Sequence, residues 1–250
     1  ILGATTLLAD GIITPPISVS SAIEGLNLVN GLEKIIVPGN ILTVGITIAI
    51  ISALFFFQRF GTNKMGKTFG PVMAIWFSMI LILGVTYVFK NPTIIKILNP
   101  YYGYKLLVKY PKGFWLLGAV FLATTGAEAL YSDLGHCGVK NIRLTWVFVK
   151  ISLTINYIGQ AAWIMQFKNM DINNIYLNGL NPFFEMVPHW FLLPSIIIAT
   201  AATIIASQAL ISGSFTLVSE AMNLNFWPRV TVRQPTDIKG QIYIPSVNTI

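Results

Sequence analysis

Charge is what this chain has least of. Only 10% of its 250 residues are Asp, Glu, Lys or Arg, against 54% hydrophobic, whereas an ordinary soluble domain carries roughly 25% charged residues. A soluble fold of this length would need far more polar surface, so the composition reads as a membrane protein. Cysteine is nearly absent as well. The single thiol, Cys137, excludes an internal disulfide framework and is too little for a cysteine-based metal site. There is no serine elbow, no phosphate-binding glycine loop, no tandem repeat and no low-complexity tract, so nothing argues for an enzyme. A signal-peptide layout is missing too. Ile1 opens directly into an apolar run, and Gly240-Gln241-Ile242-Tyr243-Ile244-Pro245 turns apolar again near the other end. Both ends read as cut, and the expectation is a fragment with both ends truncated.

What the chain does have is long apolar runs. Crossing a hydrocarbon core takes ~20 apolar residues as a helix. Runs of that order lie at about Ile1–Ile23, Ile41–Phe57, Phe69–Phe89, Phe114–Tyr131, Leu144–Met165 and Phe191–Val218. Unpaired backbone groups are costly in lipid, so these segments must be helical wherever lipid touches them. The expected fold is therefore an all-α transmembrane bundle forming a single domain. The first run carries Asp10 and Pro15-Pro16, which predicts a kink or a break. Thr124-Thr125-Gly126 marks a place for the fourth to loosen.

Basic residues set orientation. Arg59, Lys64, Lys67, Lys140, Arg143, Arg229, Arg233 and Lys239 fall on one side of the runs, and Lys34 and Lys168 on the other. The long stretch from Lys90 to Lys112 adds further lysines to the second side. Its Pro92–Tyr110 portion mixes Ile, Leu and Tyr with Lys and reads as an interfacial helix. With that stretch set aside, the first side is cytoplasmic, placing the loops Gln58–Thr68 and Ser132–Arg143 inside.

An ionisable group within a spanning helix is expensive and marks a pathway or a site. Asp10 is such a group, and Thr14, four residues on, shares its helix face. A carboxylate stacked on a hydroxyl offers hard oxygen ligands to an alkali cation. The competing reading is a carboxyl satisfied by a neighbouring helix. Glu128 is the second such group, and Gly126 beside it weakens the helix, freeing carbonyl oxygens as broken transporter helices do. Small residues there would also permit close helix packing, which leaves Glu128 unexplained. Glu24 sits near the end of its run, where it faces either a function or simply water. Asp133 and His136 read as loop or capping residues. Asn156 with Gln160, and Gln208 with Ser212, read as interhelical hydrogen-bonding pairs, and Lys150 lies close enough to an end of its run to snorkel. Thr43-Val44-Gly45 is only a chance likeness to a potassium-channel filter, since Ile46 and Thr47 follow it.

Several longer motifs carry a family resemblance. Leu8-Ala9-Asp10-Gly11-Ile12-Ile13-Thr14-Pro15-Pro16-Ile17-Ser18-Val19 through Ala22-Ile23-Glu24-Gly25-Leu26 resembles the third-helix signature of the Kup/HAK/KT potassium uptake transporters. Phe69-Gly70-Pro71 with Trp76-Phe77, Asn99-Pro100-Tyr101-Tyr102, Thr125-Gly126-Ala127-Glu128-Ala129-Leu130-Tyr131-Ser132-Asp133-Leu134-Gly135-His136 and Ile204-Ile205-Ala206-Ser207-Gln208-Ala209-Leu210-Ile211-Ser212-Gly213 continue it in order. Pro16 stands where Ala is usual, Ala9 where Gly is common and Cys137 where Phe is frequent. By the resemblance, the runs are the third to eighth helices of a LeuT-like inverted-repeat bundle of the amino acid–polyamine–cation superfamily. The resemblance implies potassium–proton symport across the cell inner membrane by a multi-pass protein. It puts the cation on Asp10, Thr14 and Thr125 near the bilayer midplane, and Glu128 in proton coupling. A carboxyl drawn out of water can take a proton at modest cost, and either Glu128 or Asp10 would link the two ions. No cofactor is expected, and the partners are potassium ion, the proton and the lipid bilayer, with a homodimer as candidate assembly and no nucleic acid. The rival readings are an amino acid permease of the same fold, and a channel-like or receptor-like module in which both carboxylates only hold helices together.

Overall fold

The computed structural model describes residues 2–29, 36, 39–58, 63–110, 112–124, 139–167, 181–234 and 242–248. Helix α1 (Leu2–Glu24) passes into a short 3-10 turn at Gly25–Leu28. Helices α2 (Ile41–Gln58) and α3 (Asn63–Lys90) follow, and a 3-10 segment Pro92–Leu98 leads to α4 (Pro100–Lys109) and α5 (Gly113–Thr124). Beyond them come α6 (Val139–Ile164), the single turn α7 (Pro182–Glu185), the long α8 (Leu192–Asn223) and a final turn, α9 (Pro245–Asn248). Among the described residues the only pairing of extended chain is an isolated antiparallel bridge between Arg233 and Tyr243.

Three of these helices, over Thr68–Lys90, Val139–Phe167 and His189–Asn223, are long and apolar enough to cross a membrane, and Ile41–Phe56 is a shorter apolar helix. Their apolar side chains are not all tucked inward: Ile82, Leu144, Val147 and Ile197 are exposed. Soluble monomers rarely show contiguous apolar faces of that kind, and lipid is the solvent that suits them. The chain is thus an all-α integral membrane protein. Helix α3 begins at Asn63, ahead of the apolar run starting at Phe69. Hydropathy marks where a helix enters hydrocarbon, not where its first hydrogen bond forms.

Helices α3 and α6 cross at glycines. A Cβ added to Gly159 would stand 2.5 Å from the Gly84 Cα, and one on Gly84 would stand 2.6 Å from the Ile155 carbonyl oxygen. Only glycine at both points lets the backbones meet, the small-residue packing that membrane helices rely on. The crossing also buries Asn156, whose Oδ1 has no hydrogen-bond partner among the described residues. The interhelical bond expected of Asn156 is therefore not made by that oxygen within the described part of the chain.

Ala22 of α1, Met79, Ile80 and Leu83 of α3, Phe184 of α7 and Ile196 and Ala199 of α8 form the largest buried cluster. Phe184 lies over Gly25, whose Cβ would be 2.6 Å from the ring, so α7 caps the end of α1. A second cluster joins Ile211, Phe215, Val218 and Met222 of α8 to Ile244. Several hydroxyls within α8 are satisfied locally. Ser195, Thr200, Ser207, Ser214 and Thr216 each donate to a carbonyl three or four residues back, which lets hydroxyls sit in an apolar helix. Helix α8 ends where Asn225 turns to a positive φ of 59°, a conformation asparagine tolerates better than most residues.

Candidate functional site

Of the kink or break expected at Pro15-Pro16, the break does not occur: α1 runs unbroken through both prolines. Neither has an N–H, so the carbonyls of Gly11 and Ile12 lose their usual partners four residues ahead. Breaking the helix would strip more backbone groups than that, and in lipid such helices persist where neighbouring groups lie close. Helix α8 is that neighbour. A Cβ on Gly11 would stand 2.7 Å from the Ser214 hydroxyl oxygen, so α8 lies directly against α1 at the level of Asp10.

One turn before the prolines, the Thr14 hydroxyl donates to the Asp10 carboxylate over 2.5 Å, with both residues half-buried. The four-residue spacing therefore does what it predicts, stacking a carboxylate and a hydroxyl on one face of a helix. A cavity of about 710 Å³ opens between α1, α2, α8 and α9, walled by Gly11, Ile12, Pro15, Ser52, Ser214 and Asn248 among others; Asp10 and Thr14 do not line it and lie on a different face of α1. Asn248 donates from its amide nitrogen to the Phe55 carbonyl at 3.3 Å, and its buried Oδ1 has no partner among the described residues. This stretch of α1 thus carries oxygen atoms on more than one face: the Asp10 carboxylate and Thr14 hydroxyl on one, the Ser214 hydroxyl against Gly11 on another, and the carbonyls that the prolines have released. Such a set is hard and neutral apart from the carboxylate, and it suits an alkali cation. Ser214 and Asn248 were not legible as members of this neighbourhood, because their approach is a matter of tertiary packing. The proline pair is the signal that marks the freed carbonyls.

Thr125 and Glu128 lie outside the described residues, as do Asp133 and His136. Glu24, at the last position of α1, accepts from the Ser20 hydroxyl at 3.2 Å. Lys150 is exposed, with its ammonium 5.2 Å from the Trp146 ring centre, so it lies along an aromatic surface rather than in a site. Among the described residues no group of His, Cys, Asp and Glu could hold a metal ion of the cysteine–histidine kind.

The fold and this neighbourhood define an integral membrane protein with a carboxylate–hydroxyl pair inside a helix. Comparison with known proteins gives the family. The profile described as K+ potassium transporter integral membrane domain matches residues 1–250. The chain belongs to that family, the Kup/HAK/KT potassium transporters, whose members are transport proteins rather than enzymes. It is 55% identical over 248 residues to the probable potassium transport system protein Kup of Flavobacterium psychrophilum, covering 99% of this chain and 37% of that protein. It is 55% identical over 254 residues to the like-named protein of Cytophaga hutchinsonii, with 100% and 37% covered. Against that of Clostridium perfringens it is 52% identical over 252 residues, with 100% and 38% covered. The chain thus spans little more than a third of the length of these relatives. No solved structure matches it.

Proposed function

We propose that this chain carries the central helices of a potassium transporter of the inner membrane and contributes the cation site, in a potassium–proton symporter of multi-pass topology. The observation that carries this reading is the Thr14–Asp10 pair inside α1, followed at once by two prolines. A monovalent cation leaving water needs a compensating charge and replacement oxygens. Asp10 supplies the charge. Thr14, the released Gly11 and Ile12 carbonyls and, by the family resemblance, Thr125 supply oxygens. When the cation is absent, the Thr14 hydroxyl donates to Asp10 and keeps the carboxylate hydrogen-bonded. When it arrives, that hydroxyl can turn its lone pairs toward the ion instead.

Glu128 is the proton-coupling carboxyl in this account, and the bundle is the LeuT-like inverted repeat, with the helices here as its third to eighth. Alternating access then comes from one group of helices rocking against another around the site. The ions are substrates, and no cofactor takes part. Potassium-limited growth of an uptake-deficient bacterial host expressing the full-length protein tests the reading. The parent is expected to restore growth and Asp10→Asn to fail at equal membrane abundance. Growth restored equally by both would contradict it.

A further inference from the structure

Glu24 is an acidic residue at the junction of two helical segments. It is the last residue of α1, where the helix passes directly into the 3-10 turn Gly25–Leu28, and neither the last turn of α1 nor that of the 3-10 segment carries a basic side chain. Glu24 also lines a groove of about 600 Å³ between α1 and α2, together with the hydroxyl-bearing Ser20, Ser21, Thr47 and Ser52. Among the described residues no basic side chain lines this groove, and the rest of its wall is apolar. Thr47 donates to the Thr43 carbonyl at 2.9 Å and Ser20 to Glu24 itself, so their oxygen lone pairs remain available as acceptors.

The groove ends at Pro16 and Ser52, short of Asp10 and Thr14, but it runs along the side of α1 that carries them. Asp10, Thr14, Ser21 and Glu24 follow at spacings that keep them on one face of α1. At 1.5 Å per residue, Glu24 stands ~21 Å along the axis from Asp10. Pro16, Ile51 and Ser52 line both this groove and the cavity beside Gly11, so the two spaces adjoin. With the Gln58 end of α2 inside the cell, the Glu24 end of α1 faces outward.

We propose that the α1–α2 groove is the outer access path for the cation, with Glu24 at its mouth drawing in a hydrated alkali ion and the serine and threonine hydroxyls passing it toward Asp10. This rests on the potassium-site reading above and adds the route. Low-dielectric walls focus the field of a single carboxylate, and hydroxyl oxygens replace lost water one at a time as the ion moves inward.

The test is uptake of radioactive rubidium by the full-length protein in proteoliposomes. Glu24→Gln still accepts the Ser20 hydrogen bond, so a merely structural role would leave kinetics unchanged. The access role predicts a KM for external rubidium raised about five- to tenfold, the loss of one screened charge interaction, with Vmax within about twofold. Glu24→Asp is expected to recover most of the affinity. Choline chloride should raise the parent's KM toward that of Glu24→Gln, since screening removes the same attraction. In a Cys137→Ser background, Ser21→Cys should react with an impermeant thiol reagent from outside, and more slowly when potassium is present. An unchanged KM in Glu24→Gln, or a Ser21→Cys that is never labelled, overturns the access path. If Asp10→Asn is inactive in the same assay, the cation site survives that failure; if Asp10→Asn also behaves like the parent, the site itself is wrong.

Discussion

At the scale of single residues, the chemistry turns on which carboxylates carry charge into an apolar bundle. On the proposed site Thr14→Val takes away one neutral oxygen and leaves the Asp10 carboxyl in place, so it should raise the apparent KM for potassium several-fold while transport persists. Equal loss in Thr14→Val and Asp10→Asn would mean that the pair acts only as a unit. Glu185 offers a separate test outside the spanning helices. Burial raises the pKa of its carboxyl above the ordinary 4.5, with His189 partly offsetting this. A carboxyl raised in the folded state stabilises the fold below its ordinary pKa, and that contribution fades as pH rises through the raised value. Glu185→Gln should therefore raise the thermal midpoint of the solubilised full-length protein at about pH 8 and change it little at about pH 4. A midpoint shift independent of pH would mean that Glu185 is not held in that state.

At the scale of elements, the decisive contact is the crossing of α3 and α6. Gly84→Val would drive a side chain into the Ile155 carbonyl and the Asn156 backbone. Backbone cannot move aside as a flexible side chain can, and overpacking of this kind costs ~1–3 kcal/mol or more. The variant should lose thermal stability and membrane abundance. Gly118→Ala is the control: nothing stands within 4 Å of its added Cβ, so it should be neutral or slightly stabilising by helix propensity. Equal behaviour of the two would deny the crossing its role. How far such features could be read from sequence differs from one to the next. Asp10 and Thr14 were legible because a four-residue spacing is a property of one helix. Pro15-Pro16 was legible as a weakness but did not decide between a kink and a break, and α1 stays helical where its surroundings make a break worse. The approach of Gly84 to Gly159, of Ser214 to Gly11 and of Phe184 to Gly25 was not legible. Each joins residues far apart in the chain, and a glycine shows that something comes near without showing what.

At the scale of the whole molecule, the runs of apolar residues suffice to identify a membrane protein, and the basic residues between them propose its orientation. That orientation is open to test in a Cys137-free background of the full-length protein. A cysteine at Asn63 should react with impermeant reagent only after lysis, and one at Asn174 in intact cells; the reverse pattern would invert the topology and move Glu24 to the inner face. The chain covers only 37% of its Flavobacterium psychrophilum relative, so residues 1–250 expressed alone are expected not to accumulate potassium. A carboxylate site lacking its other helices would leave Asp10 short of ligands in lipid. Accumulation by this segment alone would show that the site is self-contained.

The central claim is that Asp10 holds the transported cation, and equilibrium potassium binding by the purified full-length protein addresses it directly, with uptake measured on the same preparations in liposomes. Asp10→Asn keeps the size of the side chain and its place beside Thr14 while removing the charge. The account predicts that binding and uptake are lost together in Asp10→Asn. Potassium bound and accumulated by Asp10→Asn as by the parent would contradict it.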